Sequence, residues 1–177
     1  FQPGETIATI DITLLDDNID EPDESFTVTI DTPDGLTIAT PVVTVDLTDD
    51  EPPPTITPGL YAVFEGDVGS VTVEVPVTLS HPSATAVTVD WNTVDAPANP
   101  TIAIGGVDYE IAAGTVTFLP GETERTVPIQ VFGDLLDEPP TFYGEWGLVS
   151  FTNPSPNAVL NLGFYGLGIF IILDDDP

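Results

Sequence analysis

The chain has almost no positive charge. Of its 177 residues a single one is lysine or arginine (Arg125), against 30 aspartates and glutamates, and the formal net charge is −29. Nucleic acid is excluded as a partner, because phosphate recognition depends on Lys and Arg. Insertion into or docking on an anionic membrane surface is disfavoured for the same reason. Cysteine is absent, which removes disulfides and thiolate metal sites. The one histidine, His81, precedes Pro82 in an expected exposed turn and has no second His or Cys to share a transition metal with. No apolar run is long enough to span a bilayer, and no secretory core is visible. The chain opens on Phe1 rather than Met, as expected for the middle of a longer protein, so the missing leader says little about location.

What is present is β-forming. Nineteen prolines and fifteen glycines punctuate a Val-, Ile- and Thr-rich chain that is 41% hydrophobic, enough for a sizeable core. Period-2 alternation marks strands with one wet face. Ile10, Ile12 and Leu14 form one such row; Phe26, Val28 and Ile30 a second; Val43, Val45 and Leu47 a third. Further along the chain come Val71 to Leu79, then Val87, Val89 and Trp91, then Val127, Ile129 and Val131. Pro76 and Pro128 interrupt two of these rows and are expected at edges or bulges. Leu162 to Leu173 is unusually apolar and is expected to be a last strand, buried on both faces or bulged. Trp91, Phe142, Tyr143 and Trp146 are expected in the core. No segment keeps a helical period, and strands of this length joined by turns suggest a two-sheet sandwich.

The chain repeats itself. Phe1-Gln-Pro-Gly-Glu-Thr6 recurs as Phe118-Leu-Pro-Gly-Glu-Thr123, and Asp20-Glu21-Pro22 recurs as Asp137-Glu138-Pro139 at the same offset. Asp49-Asp50-Glu51-Pro52 loosely matches Asp174-Asp175-Asp176-Pro177. Two copies of one unit are implied, the first lacking its N-terminal half. The expected organisation is a C-terminal half-module over 1–51, a proline-rich joint over 52–58 built on Pro52-Pro53-Pro54, and a complete module over 59–177.

These motifs in this order resemble the Calx-beta family of immunoglobulin-like β-sandwich modules. The pattern is a Pro-Gly-Glu-Thr turn, a strand, an acidic loop, a strand opening with Glu-x-Phe (Glu24-Ser25-Phe26), and a last strand ending in consecutive acids. The resemblance implies an all-β fold of antiparallel sandwiches and Ca²⁺ binding by loops at one end. Carried over by motif, the first-module ligands are Asp16, Asp17, Glu21, Glu24, the carbonyl of Ile19, Asp49, Asp50 and Glu51. The second-module ligands are Glu65, Asp108, Asp134, Glu138, Asp174, Asp175 and Asp176.

The residues support a hard cation independently. Ca²⁺ takes roughly six to eight oxygen ligands at about 2.3–2.6 Å, and seven carboxylates crowded at one end repel one another without one. Asp16-Asp17 end one strand, while Glu21 and Glu24 lead into the next, so a hairpin returns them to the same end. The second module departs from the pattern: Gly133 stands where the first has Asp16, and Thr141 or Phe142 is expected where the first has Glu24. The acidic runs also suit a plain solvated surface, and strand-end acids suit blocked edges.

Catalysis is not expected. Ser80, His81 and Asp90 lack the spacing of a nucleophile elbow, and paired carboxylates without a substrate cleft do not make a glycosidase. The expected role is a non-enzymatic, calcium-binding structural or adhesive repeat segment, extracellular or on the cell surface. In it, Ca²⁺ stiffens module ends against neighbouring modules. A subunit of a homo-oligomeric filament, completed by strand exchange between chains with metal incidental, is the alternative. A regulatory Ca²⁺ sensor within a larger protein is the third.

Overall fold

The computed structural model describes residues 1–31, 37–95, 102–135 and 144–175. Glu138 and Asp176, together with Thr141, Phe142 and Tyr143, lie outside the described residues.

Eleven strands are formed among the described residues. β1 (Glu24–Thr29) and β2 (Val42–Leu47) make a two-stranded antiparallel sheet. β3 (Thr55–Pro58), β5 (Gly69–Leu79), β8 (Glu124–Gly133) and β10 (Val159–Leu160) make a four-stranded sheet in the order β10-β3-β5-β8. β4 (Leu60–Phe64), β6 (Val87–Val94), β7 (Ala113–Phe118), β9 (Glu145–Thr152) and β11 (Leu167–Leu173) make a five-stranded sheet in the order β4-β11-β9-β6-β7. Pairing is antiparallel except for β10 with β3 and β11 with β4. No helix among the described residues is long and apolar enough to cross a membrane.

The two larger sheets close into a sandwich over one core. Val73, Val75 and Val77 of β5 and Val127, Ile129 and Val131 of β8 are fully buried. They face Val87 and Val89 of β6, Val149 of β9, and Phe170 and Ile172 of β11. Each of these is an alternate residue of its strand, which is why the period-2 rows predicted the inward face. Tyr109 plugs one end: its ring meets Phe170 edge-on, 5.2 Å away at 82°, and its hydroxyl donates to the Val94 carbonyl at 3.2 Å. Gly59 lets the chain switch sheets. Its N–H donates to the Pro76 carbonyl at 2.8 Å, and an added Cβ would lie 2.7 Å from Pro76 Cγ. Pro76 thus sits just past the end of the β3 ladder, and Pro128 lies on the sheet-edge strand β8.

The repeated hexapeptide is one turn built twice. Glu5 N donates to the Gln2 carbonyl and Glu122 N to the Leu119 carbonyl, both at 2.9 Å. Gly4 and Gly121 sit at φ +90° and +83°, where a β-carbon is strained and a type II turn requires glycine. In both copies the glutamate side chain also accepts from the N–H of the turn's first residue, Gln2 or Leu119, at 2.7 Å.

Two sequence expectations fail here. Ile10, Ile12 and Leu14 do not form a strand and stand exposed. By the repeat they correspond to Val127, Ile129 and Val131 of β8, whose ladder partner is β5. No strand among the described residues pairs with Ile10 to Leu14, and alternation without a ladder does not make a strand. Leu162 to Leu173 does supply the last strand, but burial on both faces fails. Gly163–Gly166 form a 3-10 turn, and β11 alternates buried and half-buried residues. Thr55–Pro58, within the expected joint, forms β3.

Candidate metal centres

The first acidic cluster is organised by hairpin register. Glu24 pairs with Leu47, so the acids before β1 lie alongside those after β2. Glu21 N donates to Asp49 Oδ2 at 3.2 Å, and Asp49 N donates to Asp23 Oδ1 at 3.1 Å. Ile19 N donates to Asp17 Oδ1 at 2.8 Å, folding the loop between them. Asp16, Asp17, Glu21, Glu24, Asp49, Asp50 and Glu51 all line one open cleft of about 570 Å³. Asp16, Asp50 and Glu51 each present an oxygen, and these oxygens lie within 4.8 Å of one another. Oxygens on a common Ca²⁺ are separated by at most about twice its bond length, roughly 5 Å, so this trio suits one ion without rearrangement. Among the described residues no other group of three acids or histidines gathers this closely.

The crowding shows in Glu51. Its carboxyl titrates above the ordinary range, first because it loses water, then because of Asp50, a hydrogen bond with Asp49, and the charges of Asp49 and Asp16. The chain's single guanidinium cannot help, since Arg125 pairs with Glu122.

The second set is more spread. Glu65, 5% exposed, follows β4, and its N–H donates to the Leu173 carbonyl at 3.2 Å. Gly66 N donates to Asp175 Oδ1 at 2.9 Å. Asp108 accepts from Ile104 N at 2.6 Å through Oδ2, while its carbonyl accepts from Phe132 N at 2.8 Å. Asp134 follows Gly133 at the end of β8, and Asp174 follows β11. Glu65, Asp108, Asp134, Asp174 and Asp175 therefore come to one end of the sandwich.

The structure explains Gly133 and corrects the position assigned to Thr141 or Phe142. A Cβ on Gly133 would lie 2.7 Å from the Glu65 carbonyl oxygen and nearer still to that of Gly66, so no side chain fits where the first module carries Asp16. Ladder register then identifies the partner of Glu24. Glu24 pairs with Leu47, two residues before Asp49, and Glu145 pairs with Ile172, two residues before Asp174. Glu145 is the equivalent carboxylate. The signal lay in Glu145-Trp146 opening a strand as Glu24-Ser25-Phe26 does.

Asp20, not assigned as a ligand, ties the first loop to the second module. Asp20 N donates to the Pro82 carbonyl, Ala84 N to the Asp20 carbonyl, and Ser83 Oγ to Asp20 Oδ2, at 3.1, 2.9 and 2.9 Å. His81, expected to be exposed, is half-buried beside this turn. Its Nε2 lies 2.8 Å from the Pro52 carbonyl and therefore carries the proton, while Nδ1 faces the Ser80 hydroxyl at 2.9 Å.

Comparison with known proteins decides the family. The Calx-beta domain family model matches residues 1–51 and again 48–175. The chain belongs to the Calx-beta domain family. Among solved structures, the apo form of the Calx CBD1 domain is 26% identical with a TM-score of 0.56, covering 70% of this chain and 98% of that one. CBD12 from CALX1.2 is 27% identical with the same TM-score, covering 69% and 46%. Sodium/calcium exchanger 2 of rat and of human is 30% identical over 156 residues, covering 76% of this chain. The chain spans 16% of the length of those exchangers. The relatives it matches are sodium/calcium exchangers and Calx domains rather than secreted or surface repeat proteins, which overturns the expected extracellular or cell-surface location.

Proposed function

We propose that this chain is a non-catalytic pair of Ca²⁺-binding modules within a larger protein, binding Ca²⁺ at the acidic end of each copy. The first site would use Asp16, Asp17, Glu21, Glu24, Asp49, Asp50 and Glu51, with the Ile19 carbonyl. The second would use Glu65, Asp108, Asp134, Glu145, Asp174 and Asp175, with Glu138 and Asp176 assigned from sequence alone. The ion would supply positive charge and fix loops that otherwise repel. One observation carries the reading: seven carboxylates line one cleft, three of them at single-ion spacing, in a chain with one paired guanidinium. One solved relative, the calcium binding domain CBD12 of CALX1.1, supports the choice of metal.

The test is calorimetric titration with Ca²⁺ and Mg²⁺, together with melting in Ca²⁺ and in chelator. At a hundredfold excess over Kd, binding adds about 2.7 kcal/mol to stability. Asp16→Asn with Asp50→Asn removes the first site and Glu145→Gln weakens the second, each by about tenfold or more in affinity. No heat of binding and an unchanged melting point at millimolar Ca²⁺ sink the proposal.

A second reading rests on the exposed row Ile10, Ile12 and Leu14. A strand patterned like β5, supplied by another copy, would pair with it and complete the first module. Sedimentation showing a monomer at every concentration up to the millimolar range rejects this.

A further inference from the structure

The five-stranded sheet turns one face to the core and the other to solvent, and the solvent face is apolar across β4, β11 and β9. Gly147 and Val149 of β9 and Phe170 and Ile172 of β11 point inward. The intervening residues point out, and they pair across the strands: Leu148 with Ile169 and Trp146 with Ile171. β4 extends the surface with Leu60 and Phe64, opposite Ile169 and Leu173. Leu60, Phe64 and Trp146 are 51%, 60% and 38% exposed. Trp146, expected in the core, belongs to this outer face.

The first module provides an internal control. Its β1-β2 pair has the same register as β9-β11, as the equivalence of Glu24 with Glu145 shows. At the positions of Trp146, Leu148, Ile169 and Ile171 it carries Ser25, Thr27, Thr44 and Asp46. The fold therefore does not require apolar residues there. Leu148, Ile169 and Ile171 are half-buried between the exposed Leu60, Phe64 and Trp146, and a contiguous apolar surface of this kind marks interaction sites in soluble proteins.

Charge selects the occupant. Acids stand at the margins of this face: Glu145 precedes Trp146, Asp174 follows Leu173, and Asp90 stands on the outer side of β6 opposite Thr152. Asp90 is held as a carboxylate by Thr115 Oγ1 at 2.7 Å and Asn153 Nδ2 at 3.2 Å. The one basic side chain, Arg125, lies on β8 of the opposite sheet. A second copy would set like charges against like, as would an anionic lipid surface. An apolar row flanked by cations meets both the centre and the border.

We propose that the outer face of β4, β11 and β9 docks a polypeptide segment bearing an apolar row with lysine or arginine at its ends. The test compares the chain with the variant Trp146→Ser, Leu148→Thr, Ile169→Thr, Ile171→Asp, which installs the first module's residues. The probe is a labelled peptide alternating leucine and threonine with two lysines at each end, read by fluorescence anisotropy in chelator. Control peptides replace its leucines by serine or its lysines by glutamate. The expected result is at least tenfold tighter binding of the leucine–lysine peptide to the unaltered chain than to the variant, and than either control peptide to the unaltered chain. Equal binding to chain and variant overturns the proposal, as does equal binding of the glutamate-flanked peptide. Dimerisation abolished by the variant overturns it in favour of a second copy. Should the variant not melt cooperatively, hydrogen exchange on the unaltered chain decides. The peptide must slow exchange in Leu60–Phe64 and Leu167–Leu173, and no protection there refutes the site.

Discussion

Gly147→Ala should damage this protein more than any exposed substitution. Gly147 lies directly across from Phe170 in the β9-β11 ladder. A Cβ there would fall under 3.0 Å from three carbons of the Phe170 ring, where ordinary carbon contacts need about 3.5–4.0 Å. The ring has nowhere to go. It is fully buried and stands edge-on to Tyr109 at 5.2 Å. Overpacking costs about 1–3 kcal/mol, and losing the aromatic geometry adds about 0.5–1.5 kcal/mol. A destabilisation of about 3 kcal/mol follows, roughly 6–12 °C in Tm for a chain of this size.

The same geometry predicts a rescue. Phe170→Ala alone costs about 3–5 kcal/mol, but it vacates the volume that the methyl group introduced by Gly147→Ala needs. The double variant should therefore be more stable than the sum of the singles by about 2 kcal/mol. Urea and thermal unfolding followed by circular dichroism, in chelator so that no ion contributes, give all three values. Additive losses, or a neutral Gly147→Ala, would refute the packing argument.

Two further outcomes follow from local geometry. The Glu51 carboxyl is raised above its ordinary 4.5, so the folded chain holds that proton more tightly than the unfolded one. Its contribution to stability is thus complete below about pH 4.5 and declines as pH rises through the raised value. Melting in chelator from about pH 4 to about pH 7 should show this decline, and Glu51→Gln should flatten it; parallel profiles would contradict the assignment. Gly121→Ala places a β-carbon at φ +83° and should cost about 1–2 kcal/mol, read as a lower urea midpoint with unchanged slope; an unchanged midpoint rejects the turn assignment.

The inward faces of β5, β6 and β8 are legible in the sequence because alternation reports which side a strand buries. Alternation does not report whether a partner exists, and that is why Ile10 to Leu14 mislead. Their pattern matches Val127 to Val131, yet no strand among the described residues pairs with them as β5 pairs with β8. The counterpart of Glu24 is misplaced for a different reason. Counting at a fixed offset carries the length of the intervening loop into the alignment, whereas the ladder counts paired residues and lands on Glu145. Size alone puts Trp146 in the core; its place next to the inward-facing Gly147 turns it outside. The motif assigns the acids of the first cluster, and all seven line the same cleft.

The two acidic ends differ in what holds them together. In the first module the bonds that gather the acids span 28 residues from Glu21 to Asp49 and 26 from Asp23 to Asp49. They are closed by one hairpin. In the second, the bond from Gly66 to Asp175 spans 109 residues, and Asp108 is tied to β8 through Phe132. That end exists only when both sheets of the sandwich are assembled. The first cluster is gathered instead by β1-β2 register, its own loop hydrogen bonds and the bonds of Asp20 to the second module. The same logic accounts for Gly133. The backbone of Glu65 and Gly66, delivered by the assembled sandwich, occupies the space that Asp16 is free to use in the first module.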